Sequence, residues 1–163
     1  MAANKATIRW SYKDKKPNYE VDMHIDLSRF EKQFQQAQYE LDNMVMTSMV
    51  PFMPMQTGTF INVTEAMSAA LAGSGVIVAA APPMGRFLYE GEIMVDPETG
   101  SPYARAAAKK ILASEYSQWE GETTKLEFNR TANPDAQSHW FEAAKKEDGE
   151  KWVEKAKKIA GGG

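Results

Sequence analysis

The chain has 163 residues, 43% of them hydrophobic and 25% charged, which is room for one domain of ordinary soluble composition. A chain of this length buries roughly two-thirds of its unfolded surface and can hold a core without disulfide or metal. Nineteen basic against 22 acidic residues leave a net charge of −3, against a general nucleic-acid binder, and the absence of cysteine excludes thiol catalysis, iron–sulfur clusters, thiolate zinc sites and a disulfide framework.

Only two histidines, His24 and His139, are present for imidazole chemistry. The start, MAANKATIRW, has no apolar core of signal-peptide length. The greasiest stretch, Ala66–Met84, is broken by Ser68, Gly73, Ser74, Gly75, Pro82 and Pro83, too often to span a bilayer. A soluble protein outside classical secretion is expected, with no membrane partner. Charge is uneven: residues 1–18 hold five basic and one acidic residue, 19–102 three and eleven, and 103–163 eleven and ten.

In Ala6–Lys13, Ile8, Trp10 and Tyr12 alternate with polar residues, the period of a half-buried strand. Lys15-Lys16-Pro17-Asn18 is turn chemistry. Tyr19–Leu27 alternates again, with Tyr19, Val21, Met23, Ile25 and Leu27 on one side, and the pair predicts a hairpin with His24 on the wet face. Ser28-Arg29-Phe30-Glu31 is a capping box opening a helix to about Ser48, with Phe30, Phe34, Ala37, Leu41 and Val45 on one face. Five methionines from Met44 to Met55 suit core filling at a helix end, with an adaptable interface as the alternative. Thr59–Thr64 reads as a β-rich run, and Val76–Ala81 as a buried strand after a Gly73-Ser74-Gly75 turn with no phosphate-loop pattern. Asp96–Pro102 is a dense turn signal. Ala104–Ser114 has moderate helix propensity, Thr123–Phe128 looks like a short strand, and Asn129–Gln137 is loop. From Ser138 the spacing predicts a helical unit with Trp140, Phe141, Ala144, Trp152 and Val153. Asp148-Gly149 should split or kink it.

The expected architecture is α+β: a small antiparallel sheet, an N-terminal amphipathic helix and C-terminal helices. The chain is read as one domain, 1–163. It comprises a β-hairpin at 1–27, a helix at 28–48, strands and long loops at 59–102, helix, strand and loop at 104–137, and a C-terminal helical unit at 138–160. No nucleophile elbow, zincin helix or catalytic triad stands out, and carboxylate pairs such as Glu90/Glu92 read as solvated surface. No enzyme, cofactor or metal is expected.

Five segments carry a resemblance. They are Met49-Val50-Pro51 through Gln56-Thr57-Gly58-Thr59-Phe60; Arg86-Phe87-Leu88-Tyr89-Glu90-Gly91; Met94-Val95-Asp96-Pro97-Glu98-Thr99-Gly100-Ser101-Pro102 with Ala104-Arg105; Asn133-Pro134 through His139-Trp140-Phe141-Glu142-Ala143-Ala144-Lys145; and Gly149–Lys158. In this order the chain resembles, from about Phe30 onward, the minor capsid protein family encoded in the head–tail joining regions of siphophages and prophages of Gram-positive bacteria. The motif positions are Pro51, Thr57, Gly58, Tyr89, Gly91, Asp96, Pro97, Gly100, Trp140, Phe141 and Glu142. One stretch departs: Ala80-Ala81-Pro82-Pro83-Met84-Gly85-Arg86 stands where many members have Asn-Thr-Pro-Tyr-Ala-Arg.

The resemblance implies a non-enzymatic virion component of the neck or tail-completion region. It would be assembled in the bacterial host cytoplasm, as a homo-oligomeric ring touching portal-side or tail proteins. DNA would pass nearby without specific binding. Glu90, Glu92, Asp96 and Glu98, in the acidic middle, are a candidate channel-facing group. The alternative is a non-catalytic protein- or ligand-binding module.

Overall fold

A computed structural model of the chain describes residues 5–10, 21–26, 28–103, 105, 109–119, 121 and 124–161, with 5–10 and 21–26 described as backbone. The expected Lys15–Asn18 turn and the exposure of the His24 side chain lie outside the described residues. The α+β class holds, with small antiparallel sheets and a helix at each end of the main body.

Strands β1 (Lys5–Trp10) and β2 (Val21–Asp26) pair antiparallel. Their register sets Ala6 opposite Ile25, Ile8 opposite Met23 and Trp10 opposite Val21; Lys5, Thr7 and Arg9 stand opposite Asp26, His24 and Asp22. One face is therefore all apolar by position and the other polar. Helix α1 (Ser28–Met49) follows after one residue and runs on through a short 3-10 turn at Val50–Phe52, where Pro51 enters.

Helix α4 (Trp140–Ile159) packs along α1. Between them lies a core of Val45, Met46, Met49, Met53, Ile61, Trp140, Ala144 and Trp152. Met49, Met53 and Trp140 are fully buried, so the methionine cluster is core rather than surface. The predicted α1 stripe is half right. Ala37 and Val45 are buried and Leu41 is half-buried, but Phe30 and Phe34 are 52% and 62% exposed. For Phe30 the reason is length: Gly161, just past α4, already lies against Gln33, so the first turn of α1 outruns its partner, whereas Phe34 stands within the span of α4 and is exposed nonetheless.

Five expectations are corrected. Thr59–Thr64 is not a strand but the start of helix α2 (Thr59–Ala69). Its β-branched residues are outvoted by packing, because Ile61, Thr64 and Ser68 fall on one buried helical face. Val76–Ala81 is irregular, bending at Ala79-Ala80, and joins no sheet of the described residues. Its polar backbone is satisfied by side chains instead. Ser68 Oγ donates to Val78 O (3.0 Å) and accepts from Val78 N (3.1 Å), Thr64 Oγ1 accepts from Ala81 N (3.2 Å), and Trp140 Nε1 donates to Ala79 O (2.8 Å). In the region expected to be helical, the described part holds strand β4 (Ile111–Leu112), paired with β3 (Met94–Val95), and a 3-10 turn at Ala113–Glu115. Buried Val95, Leu112 and Ala113 favour pairing there over local propensity; Ala104 and residues 106–108 lie outside the described residues. The last helix is continuous through Asp148-Gly149, since packing along α1 outweighs the roughly 1 kcal/mol glycine penalty. The expected strand Thr123–Phe128 contracts, among described residues, to one antiparallel bridge between Glu92 and Lys125. Helix α3 (Gly85–Glu90) completes the elements.

Candidate functional site

The motif positions fall into two clusters and one loop junction. At the first cluster α3 meets the start of α4. Gly91 closes α3 with φ +71°, donating to Phe87 O at 2.9 Å, and any Cβ there would stand 2.8 Å from Ser138 Cβ. His139 N then donates to Tyr89 O at 2.9 Å, bringing the second and fourth of those chain segments together. The ring of Tyr89 meets Trp140 edge-on at 4.8 Å, and its hydroxyl donates to Glu142 Oε2 at 2.6 Å. Burial, then the carboxylate of Glu142 and the charge of Glu90, push the Tyr89 phenol well above its usual range, so it stays a donor. His139 precedes α4 with φ +53°, uncommon for a side-chain-bearing residue, and its Nε2 lies 3.5 Å from Glu90 Oε2. Phe141 stacks on Trp152 at 6.4 Å.

The second cluster is the Asp96–Arg105 turn. Gly100 N donates to Asp96 O (2.9 Å) and Asp96 N to Ser101 O (2.8 Å), closing the loop. The fully buried Asp96 carboxylate accepts from Glu98 N (2.9 Å) and Thr99 N (3.2 Å). It also takes Arg105 Nε (3.0 Å) and Nη2 (3.2 Å), a two-point grip. Arg105 Nη1 reaches on to Glu98 Oε2 at 2.6 Å. The Arg105 guanidinium, then the turn amides, hold the Asp96 carboxyl well below the usual carboxylate range. Pro97 is exposed at the turn's rim.

At the junction, Asn133 Nδ2 donates to Val50 O and Met53 O, both at 2.9 Å, and Gln137 N to Phe52 O at 3.0 Å, tying the Pro51 region to the Asn133-Pro134 segment. Gly58 precedes α2, and Thr57 is exposed, its hydroxyl donating to Thr59 Oγ1 at 3.1 Å.

The candidate acidic wall does not stand as four residues. Asp96 is fully buried and cannot face a channel; Glu98 is exposed but paired with Arg105. Glu90 is exposed beside His139, and Glu92 is half-buried, accepting from Ser114 N at 3.4 Å. Among the described residues no three histidines or carboxylates gather to hold a metal ion. No helix of the described residues is long and apolar enough to cross a membrane.

Sequence reasoning missed Arg105 as the clamp of its turn, and Asp42. Asp42 is buried on α1 and accepts from Gln38 Nε2 (2.7 Å), Gly73 N (2.7 Å) and Gly75 N (3.1 Å). The Gly73-Ser74-Gly75 turn thus spends two of its amides on a carboxylate of its own chain. The available signal was an aspartate between Leu41 and Val45, on the apolar side of an amphipathic helix.

A groove of about 610 Å³ lies between Met55–Phe60, Ala81–Met84 and Glu127–Asn129. No family model, curated protein or solved structure matches this chain.

Proposed function

We propose that this chain is a non-enzymatic structural virion protein of a tailed phage or prophage of Gram-positive bacteria, part of the head–tail connector between portal and tail. The observation that carries this reading is the ordered series of motif segments resembling the minor capsid family. The Met94–Pro102 stretch with Arg105 is the most specific of them. Support comes from the use to which the chain puts those residues. Asp96, Gly100 and Arg105 lock one turn, and Tyr89, Gly91, Trp140 and Glu142 lock another, as expected of positions that preserve a scaffold. In this reading the protein forms a ring at the head–tail junction, contacts portal-side or tail proteins, and lets DNA pass without specific binding.

Immunoblotting and immunogold labelling of purified virions test this, together with a deletion of the gene. Label at the neck, and unjoined heads and tails in the deletion, are the expected results. Normal infectious particles lacking the protein would overturn the reading. The groove beside α2 favours a second reading, a non-catalytic protein- or ligand-binding module. Under that reading, virions lack the protein and an apolar ligand protects Met55 and Phe60 from labelling.

A further inference from the structure

The N-terminal hairpin is a two-stranded sheet that stands by itself among the described residues. Among the described residues β1 and β2 pair only with each other, so both outer edges of this two-stranded sheet lack a neighbouring strand. Among the described residues, the backbone of neither strand runs alongside a helix. A lone two-stranded hairpin is marginal in water and gains stability from a third strand or a covering surface. Open edges of this kind are templates for strand addition.

The two edges differ in charge. Strand β1 carries Lys5 and Arg9 and no acid; β2 carries Asp22 and Asp26 and no base. Pairing β1 with a second β1, or β2 with a second β2, sets like charges opposite one another, which destabilises a sheet. Pairing the β2 edge of one copy with the β1 edge of the next, in the register used within the hairpin, sets Asp22 opposite Arg9 and Asp26 opposite Lys5. It also keeps Ile8, Trp10, Val21 and Met23 on one continuous face, since a shift of one residue would turn them to the other side. A separate observation points the same way. Phe30 and Phe34, within two turns of the hairpin along α1, are exposed at 52% and 62% and leave apolar surface beside it for a neighbour to cover.

We propose that the hairpin joins copies of this chain head to tail: the β2 edge of each takes the β1 edge of the next, extending one antiparallel sheet. The edges are not self-complementary, so the contact is heterologous. It closes into a ring when the rotation between copies closes. The proposal deepens the ring reading and draws on it only for where the assembly would stand; the contact itself is scored on purified protein.

The chain has no cysteine, so disulfide capture reports neighbours cleanly. Thr7 and His24 stand opposite one another in the register. Thr7→Cys chains and His24→Cys chains, mixed and oxidised, should cross-link to each other, with little product from either variant alone. A second variant keeps the hairpin's own charge pairing by exchanging both sets: Lys5→Asp, Arg9→Asp, Asp22→Lys, Asp26→Lys. It should associate with itself and fail to enter oligomers with isotope-labelled wild-type chains in native mass spectrometry. Equal cross-linking in the single-variant samples, free mixing of exchanged and wild-type chains, or a wild-type chain monomeric at all concentrations overturns the proposal. Presence of the protein at the virion neck is read separately. A failed cross-link with neck label present removes the hairpin contact and leaves the virion reading, and the converse result does the opposite.

Discussion

Asp96 shows how one side chain can fix a loop. It takes amide donors from its own turn and a two-point grip from Arg105, and Gly100 supplies the return with φ +65°. A Cβ at Gly100 would collide with the Tyr116 ring, so both backbone and space disfavour a side chain there. In the proposed virion role, Gly100→Val should therefore cut particle yield in a complementation assay far more than Glu98→Ala, which removes only an exposed pairing with Arg105. Comparable yields would defeat this. The same carboxylate sets an acid limit. Its folded pKa lies below the ordinary aspartate value of 3.8, so the unfolded chain takes the proton first. The stability that this site supplies is complete above that value and is lost as pH falls through it toward the lower folded one. Acid titration by circular dichroism should show steep unfolding below about pH 4, and a shallower slope in Asp96→Asn. Matching slopes in the two proteins would assign the acid sensitivity to other groups.

At the scale of elements, α4 carries the fold. Trp140 is fully buried, donates to Ala79 O, and meets Phe60 and Tyr89 edge-on. Trp152 donates to Ser48 Oγ at 3.1 Å, tying α4 to α1. Truncating a buried tryptophan costs about 3–5 kcal/mol against a total of about 5–15 kcal/mol, so Trp140→Ala should lower Tm sharply or abolish soluble expression. Trp152→Ala, at 7% exposure, should follow the same direction. Thermal unfolding of both variants checks this, and an unchanged Tm in either would contradict its burial. The continuous helix gives an opposite prediction at Gly149. A Cβ there meets only the flexible Lys145 side chain, at 3.4 Å. Gly149→Ala should stabilise by up to about 1 kcal/mol, a rise in Tm of about 2–4 °C. A fall in Tm would show that the helix needs its glycine.

At the scale of the molecule, the acidic middle of the sequence does not become one acidic surface. Asp42 and Asp96 turn inward to hold loops, and Glu98 is spent on Arg105. Of the four candidate channel-facing residues Glu90 and Glu92 remain, one beside His139 and one beside Ser114. In a ring around DNA, these two would repel phosphate, an effect screened beyond about 8 Å at physiological salt. A Glu90→Lys, Glu92→Lys variant should then fill its heads normally and release DNA more slowly at low ionic strength. Wild-type ejection kinetics in that variant would remove both residues from the channel wall.

The sequence by itself determined the elements whose signal is local and strong. The alternation of Ile8 and Trp10 against Val21, Met23 and Ile25 marked the hairpin. The capping box and apolar stripe marked α1 almost to its last residue, and the Asp96–Pro102 turn chemistry marked its loop. The motif positions were legible as a series, because each is a proline, glycine, aromatic or acid in a distinctive setting. Only the tertiary structure decided what depends on a distant partner. Thr59–Thr64 is helical because Ile61, Thr64 and Ser68 share a buried face, and Val76–Ala81 stays out of a sheet because Ser68, Thr64 and Trp140 already satisfy its backbone. Phe30 is exposed because α4 ends before it reaches that turn of α1. Asp96 is internal because Arg105, nine residues on, folds back to neutralise it. Periodicity reports which residues could share a face; whether that face is covered, and by what, is set by where other parts of the chain begin and end.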